Sequence, residues 1–250
     1  MTRQRLQKLI ASAGLCSRRH AEQWLLDGRV TVDGSPAQLG DQADPDSQII
    51  QVDGRQLALP AQRRVLLLNK PIGVISSCHD PQGRTTVLQL LPRAHRQGLH
   101  PVGRLDADSR GALLLTDAGA LTLALTHPRY DHEKTYRVRV RGRPHASVLE
   151  QWRRGIFLDG RLTRPATVRR LAQEGASSVL EVVLQEGRNR QIRRVAQSLG
   201  HPVLDLQRTA IAHVQLGDLE EGCWRELPKR QWEPLLVGGA SRSKPPRPCD

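Results

Sequence analysis

Pro101-Val102-Gly103-Arg104-Leu105-Asp106-Ala107-Asp108-Ser109-Arg110-Gly111-Ala112-Leu113-Leu114-Leu115-Thr116 places a polar turn between two glycines, directly ahead of a strongly apolar strand. A carboxylate, Asp106, sits in that turn beside Leu105. Burial raises a carboxylate pKa, so Asp106 needs a cation beside it to stay ionised. By spacing alone an ordinary acidic surface turn is the simpler reading, because loops are rich in Asp.

On either side the chain alternates short strands and helices. Upstream, Val65-Leu66-Leu67-Leu68 reads as a strand. Downstream, strands are expected over Thr135–Val140, Thr167–Leu171 and Ser178–Leu184, and helices over Ala118–Thr126, Ser147–Arg154 and Arg190–Leu199. Residues 58–62 look like a short linker. Before it lies a compact unit. Leu6, Leu9, Ile10 and Ala13 have helical spacing ended by Gly14, and Ser17 can cap a second helix over Arg18–Leu26. Short strands over Arg29–Val32 and Ile49–Val52 end in the turns Asp33-Gly34 and Asp53-Gly54. No internal repeat is visible. From about Gly238 the chain is rich in Gly, Ser, Pro and Arg, the composition of a disordered tail.

The 250 residues carry a net charge of +13, which points first to a nucleic-acid partner. Residues 1–57 are balanced, with seven basic and seven acidic side chains, so the excess lies in the remainder. No apolar run approaches the roughly 20 residues of a membrane span, and the first residues lack the apolar stretch of a signal peptide. A cytoplasmic location is therefore expected. Cys16, Cys78, Cys223 and Cys249 are scattered without a CxxC pair, which speaks against a zinc site or a disulfide framework. No metal-ligand cluster and no cofactor motif stands out.

Two further segments carry candidate chemistry. Glu186-Gly187-Arg188-Asn189-Arg190-Gln191-Ile192-Arg193-Arg194 opens a helix with four arginines, and Arg190, Arg193, Arg194 and Gln197 share a face by their spacing. That face suits phosphates, or a buried carboxylate, or simply solvent. In Glu133-Lys134-Thr135-Tyr136-Arg137-Val138-Arg139-Val140-Arg141, alternation puts the arginines on one side and Tyr136, Val138 and Val140 on the other. Tyr136 is then either a core residue or a platform on which an unpaired base stacks.

The stretch Leu6–Arg19, with Ala21-Glu22, Gly28-Arg29-Val30 and Val32-Asp33-Gly34, closely resembles the S4 RNA-binding domain. By that resemblance Arg5, Lys8, Ser17, Arg18, Arg19 and Arg29 lie near RNA. Asn69-Lys70-Pro71-Ile72-Gly73-Val74, Asp80-Pro81-Gln82-Gly83-Arg84, Gly103–Thr116, Lys134-Thr135-Tyr136 and Glu186–Arg194 stand in the order found in the S4-bearing, ribosomal branch of pseudouridine synthases. Ser109 and Ala112 depart conservatively from that pattern, where threonine and leucine are common. The Asn189–Arg194 segment is more similar to the large-subunit rRNA enzymes.

The resemblance implies an α+β fold. An S4-like RNA-binding domain (1–58) of two helices and strands precedes a mixed, mostly antiparallel sheet with flanking helices as catalytic domain (63–237), then a disordered basic tail (238–250). It implies an isomerase converting uridine in rRNA to pseudouridine, monomeric by default. Asp106 matches the essential aspartate, Tyr136 the base-stacking tyrosine, and Arg193 the arginine paired with that aspartate. Lys70, Arg104, Lys134, Arg188, Asn189, Arg190, Gln191 and Arg194 are the expected RNA contacts of the second domain. Asp108 is expected to point away. Two rivals stay open on the residues alone: a non-catalytic RNA binder, and a hydrolase pairing Asp106 with Asp108 or Asp117.

Overall fold

The computed structural model describes residues 3–60 and 62–237, so the tail expected over 238–250 lies outside the described residues. The first unit has helices α1 (Leu6–Ser12) and α2 (Arg18–Leu26). Ser17 caps α2, its Oγ accepting from the His20 amide at 3.2 Å, which satisfies one free N–H of the first turn. The first helix starts at Leu6, where its spacing begins, and just ahead of it Gln4 and Arg5 pair with Ala43 and Gln42 as a two-residue ladder. Strands β1 (Val30–Val32) and β2 (Ile50–Val52) pair antiparallel. Ser35-Pro36 and Arg55-Gln56 flank them, through turns in which Asp33 and Asp53 adopt positive φ. Leu6, Leu9, Ile10, Ala21, Leu25 and Val30 close this unit's own core.

The second unit is built on one large sheet. Its long strands are β3 (Val65–Lys70), β4 (Arg110–Thr116), β5 (Lys134–Arg141), β6 (Thr167–Glu174), β7 (Ser177–Leu184), β8 (Val203–Ile211) and the short β9 (Trp224–Glu226). They lie in the order β6-β7-β5-β8-β4-β3-β9. All neighbours are antiparallel except β8 and β4, which run parallel through Gln207–Arg110 and Arg208–Gly111. This is the mixed, mostly antiparallel sheet that the resemblance implied.

Helices cover the sheet unevenly. The helices α4 (Ala146–Arg154) and α5 (Gln191–Ser198) lie on one face, contributing Leu149, Trp152, Ile192 and Val195 to a core with Leu66, Leu68, Leu113, Leu115, Val138 and Val182. On the other face, α3 (Gly119–Thr126) and the last turns around Trp232 and Leu235 meet Val65, Leu67 and Leu114. Val65–Leu68 and Leu113–Leu115 are therefore buried on both sides, which is why they read as unbroken apolar runs. Each such leucine contributes roughly 1.5–3 kcal/mol by leaving water. The β5 strand keeps one open face, where Arg137, Arg139 and Arg141 are exposed opposite buried Tyr136, Val138 and Val140. Among the described residues no helix is long and apolar enough to cross a membrane.

The two units touch at glycines. A Cβ added to Gly14 would stand 3.1 Å from the Gly98 backbone, and Arg63 Nη1 donates to the Ser12 carbonyl at 3.3 Å.

Candidate active site

The Asp106 turn is held by the segment that ends β3. Lys70, fully buried, donates through Nζ to the carbonyls of Ser109 at 2.8 Å and Pro71 at 2.9 Å. Its burial pulls the ammonium pKa down to about 8. The Gly73 amide donates to the Ala107 carbonyl at 2.7 Å. Ser76 Oγ accepts from the Leu105 amide at 3.0 Å and donates to the Leu105 carbonyl at 2.8 Å. Gly103, at φ 69°, makes the reversal that leads into the turn. The Asn69-Lys70-Pro71-Ile72-Gly73 segment is thus the scaffold of the carboxylate turn. Lys70, expected among the RNA contacts, is corrected to an interior strut, because no part of its side chain reaches the surface.

Asp106 opens into a cavity of about 560 Å³ lined by Tyr136, Leu105, Ile192, Lys134, Arg208, Arg190 and neighbouring residues. Its carboxylate is one-fifth exposed. Two guanidinium groups flank it, Arg190 Nη1 at 3.6 Å and Arg104 Nη2 at 3.7 Å. Both distances exceed hydrogen-bond length. Among the described residues no side chain or backbone group donates a hydrogen bond to the Asp106 carboxylate, so its charge is compensated while its oxygens stay uncapped. Tyr136 is only 8% exposed and belongs to the same core cluster as Leu105, Leu184 and Ile192, which is the core reading, and it also lines the cavity. Lys134 lines it too, donates to the His132 carbonyl at 3.1 Å, and is brought by burial to a pKa of about 8.

The arginine segment does not form one shared face. Arg190 stands just before α5 with φ 50°, a left-handed backbone that non-glycine residues seldom adopt. Its fork grips Asp108, Nη2 to Oδ2 at 2.7 Å and Nη1 to Oδ1 at 3.2 Å. Those hydrogen bonds hold the Asp108 carboxyl below the usual carboxylate range. Arg193 does not pair with Asp106, correcting the expectation. Its Nη2 donates to the Asp108 carbonyl at 2.6 Å and to Ser109 Oγ at 3.2 Å, and its Nε lies 3.3 Å from Asp108 Oδ2. The reason is position: α5 sets Arg193 beside the Asp108 carboxylate, which is not among the residues lining the cavity. Arg194 faces away to Asp159 at 2.6 Å. Arg188 donates to the Arg161 and Leu162 carbonyls, and Gln191 is buried, bonding Glu186 at 2.7 Å. Gln191, expected as an RNA contact, is thus held by Glu186 and also lines the cavity. Exposed Asn189 remains at the cavity rim.

In the first unit Ser17, Arg18 and Arg19 are exposed at the start of α2, and Lys8 is half-buried on α1. Arg5 is tied to the Gly40 carbonyl at 2.7 Å. Arg29 is held by Asp53 at 2.5 Å and lies over the Trp24 ring at 4.6 Å.

Sequence reading missed Arg208. It is buried on the cavity side of β8, donates through Nε to the Ala112 carbonyl at 2.7 Å, and leaves its Nη2 unpartnered among the described residues. The signal was present: Leu206, Arg208 and Ala210 occupy one side of an alternating strand, so Arg208 is a charge on an apolar face. Asp117 lies outside the cavity, accepting from the Arg64 amide at 2.9 Å. Among the described residues no three His, Cys, Asp or Glu side chains gather as they would around a metal ion.

An RNA-binding module in front of a carboxylate cavity banked by arginines defines an enzyme acting on RNA. The model for RNA pseudouridylate synthase matches residues 64–198, and that for the S4 domain matches residues 4–49. The chain is 40% identical over 228 residues to the ribosomal large subunit pseudouridine synthase B of Bacillus subtilis (strain 168), covering 90% of this chain and 92% of that protein. It is 36% identical to an uncharacterized RNA pseudouridine synthase of Aquifex aeolicus (strain VF5), over 89% and 90% of the two chains. A crystal structure of a pseudouridylate synthase superposes with a TM-score of 0.68 at 30% identity, covering 92% of this chain and 99% of that one. The chain belongs to the RNA pseudouridylate synthase family and carries an S4 domain; it is an isomerase acting on RNA.

Proposed function

We propose that the chain converts uridine in large-subunit ribosomal RNA to pseudouridine, with Asp106 as the sole catalytic carboxylate acting on a uridine flipped out into the cavity. The observation that carries this reading is the state of Asp106: beside two guanidinium groups at 3.6 and 3.7 Å, its oxygens are capped by neither. A carboxylate so placed has its oxygens open to the cavity and free to react. The choice of large-subunit rRNA rests on the relatives' names.

The reaction breaks the C1′–N1 bond, turns the uracil and joins its C5 to the same C1′. The C5 proton leaves and N1 gains one, so no water or co-reactant is consumed. Asp106 attacks the ribose or the base, and then serves the deprotonation at C5. Extrusion of the base costs a few kcal/mol of stacking, which the Tyr136 ring offsets by stacking on the uracil. Arg190 and Arg104 compensate the charge of Asp106, while Arg193 fixes the turn through the Asp108 carbonyl. Exposed Arg18 and Arg19, with Lys8, take phosphates in the first unit. In this reading residues 1–58 and 63–237 act as separate binding and catalytic domains of a cytoplasmic monomer.

The test is Asp106→Asn on purified protein with large-subunit rRNA lacking the modification. Pseudouridine formation should vanish while RNA binding stays within about twofold. Substantial product from that variant rules out the assigned role. Mapping pseudouridines in both rRNAs from cells with and without the gene decides the substrate; a lost site confined to small-subunit rRNA overturns the large-subunit assignment.

A further inference from the structure

Asp108 gathers more of the arginine segment than Asp106 does. Arg190 binds it as a two-pronged fork, at 2.7 and 3.2 Å. Arg193 reaches both its carbonyl and its carboxylate. Ser109, almost fully buried, sets the carboxylate through its own hydroxyl at 3.3 Å. The backbone that carries Ser109 is itself pinned by Lys70. The Asp108 side chain is nearly half exposed, and an ion pair so exposed adds little stability. Its consequence is geometric. Bidentate pairing fixes the plane of a guanidinium. The Arg190 nitrogen that donates to Asp108 Oδ1 is the same Nη1 that stands 3.6 Å from Asp106 Oδ2.

We propose that Asp108 is a positioning residue: it holds the Arg190 fork beside Asp106 but off its oxygens, so that the catalytic carboxylate is charge-compensated and uncapped. This rests on the reading of Asp106 above. Without Asp108, Asp106 becomes the carboxylate next to Arg190. The fork then closes on it, and both reactive oxygens become hydrogen-bond acceptors before substrate arrives. The left-handed backbone at Arg190 fits this role, because it aims the side chain at the turn instead of along α5.

The experiment compares Asp108→Ala, Asp108→Asn, Arg190→Gln and the Asp108→Ala/Arg190→Gln double variant by single-turnover and steady-state pseudouridine formation on rRNA. The expected order of kcat is wild type, then Asn, which keeps one acceptor oxygen, then Ala, with Ala slowed on the order of 100-fold. KM should stay within about twofold, since Asp108 touches no substrate in this scheme. The loss caused by Asp108→Ala should disappear in the Arg190→Gln background, the mark of two residues acting through one contact. Equal kcat in all Asp108 variants, a rise on removing Asp108, losses that add in the double variant, or a loss expressed only in KM each overturn the proposal. Asp108→Asn is isosteric, so it decides the matter if the alanine variant does not fold. Asp106→Asn assayed alongside separates the two claims. Turnover by that variant defeats the Asp106 reading; an inactive Asp106→Asn beside fully active Asp108 variants defeats only this one.

Discussion

The buried ammonium of Lys70 and the carbonyl of Ser109 meet at 2.8 Å, joining the end of β3 to the end of the Asp106 turn across 39 residues of sequence. This contact turns the Asn69-Lys70-Pro71 segment into part of the site's frame, although Lys70 itself never reaches the cavity. Replacing it with methionine fills the volume but leaves the Ser109 and Pro71 carbonyls without their donor. Lys70→Met should therefore lower the unfolding free energy by about 1–3 kcal/mol at neutral pH.

The pH dependence of that difference follows from the lowered pKa of Lys70. Folded, the group titrates near about 8; its ordinary value is 10.5. Between those values the unfolded chain binds more protons, so the wild type gains stability as pH rises through that window. Below about pH 8 both states are protonated and the contribution is level. Urea midpoints of wild type and Lys70→Met should diverge in favour of the wild type from about pH 8 upward; parallel profiles would contradict the buried, charged lysine. Lys134 shifts the same way but is present in both proteins and cancels.

Gly111 is where β4 and β8 run parallel. An added Cβ would lie 2.2 Å from the Arg208 carbonyl oxygen, at a φ of 107° that disfavours any side chain. Gly111→Ala should cost more than roughly 2 kcal/mol in urea unfolding and loosen Arg208, because the two strands must part. A variant as stable as the wild type would show that this pairing yields easily.

Tyr136 can be split into its two roles by choice of substituent. Phenylalanine keeps a ring that both packs and stacks; leucine packs only. Tyr136→Phe should retain kcat/KM within a few-fold, whereas Tyr136→Leu should lose roughly 1–3 kcal/mol of it, about 5–150-fold. Equal activity of the two variants would remove stacking from the account.

The exposed arginines at the start of α2 should behave differently from Arg29. Arg18→Gln and Arg19→Gln should each flatten the salt dependence of RNA binding, by roughly 0.7–0.9 in the log–log slope. Arg29 already faces Asp53, so Arg29→Gln should change that slope less. Filter or fluorescence binding at several salt concentrations measures both; an Arg29 slope change as large as that of Arg18 would show the Asp53 pair opening for RNA.

Local pattern made much of the fold legible. The second helix, from Arg18 to Leu26, and the strand cores at Val65, Thr135 and Ser178 lie where period and turn residues put them, because amphipathic spacing and glycine turns act over a few residues. The β8 strand went unread, since Arg208 interrupts its apolar face and its partners are remote in sequence. Asp106, Tyr136 and Arg193 were named together only because distant motifs occurred in order. Which arginine stands by which aspartate was not.

Sequence by itself determined the class of the chain, the order of its two units and the turn that carries Asp106. Those follow from the resemblance carried by motifs standing in order, a property of the chain read along its length, with composition and short-range periodicity in keeping with it. Only the tertiary structure decided that Lys70 is a strut, that Arg208 enters the cavity, and that Asp108 takes the hydrogen bonds of Arg190 and Arg193. Hydrogen-bond partners are settled by ångström distances between segments 39 to 96 residues apart, and linear spacing holds no information at that scale.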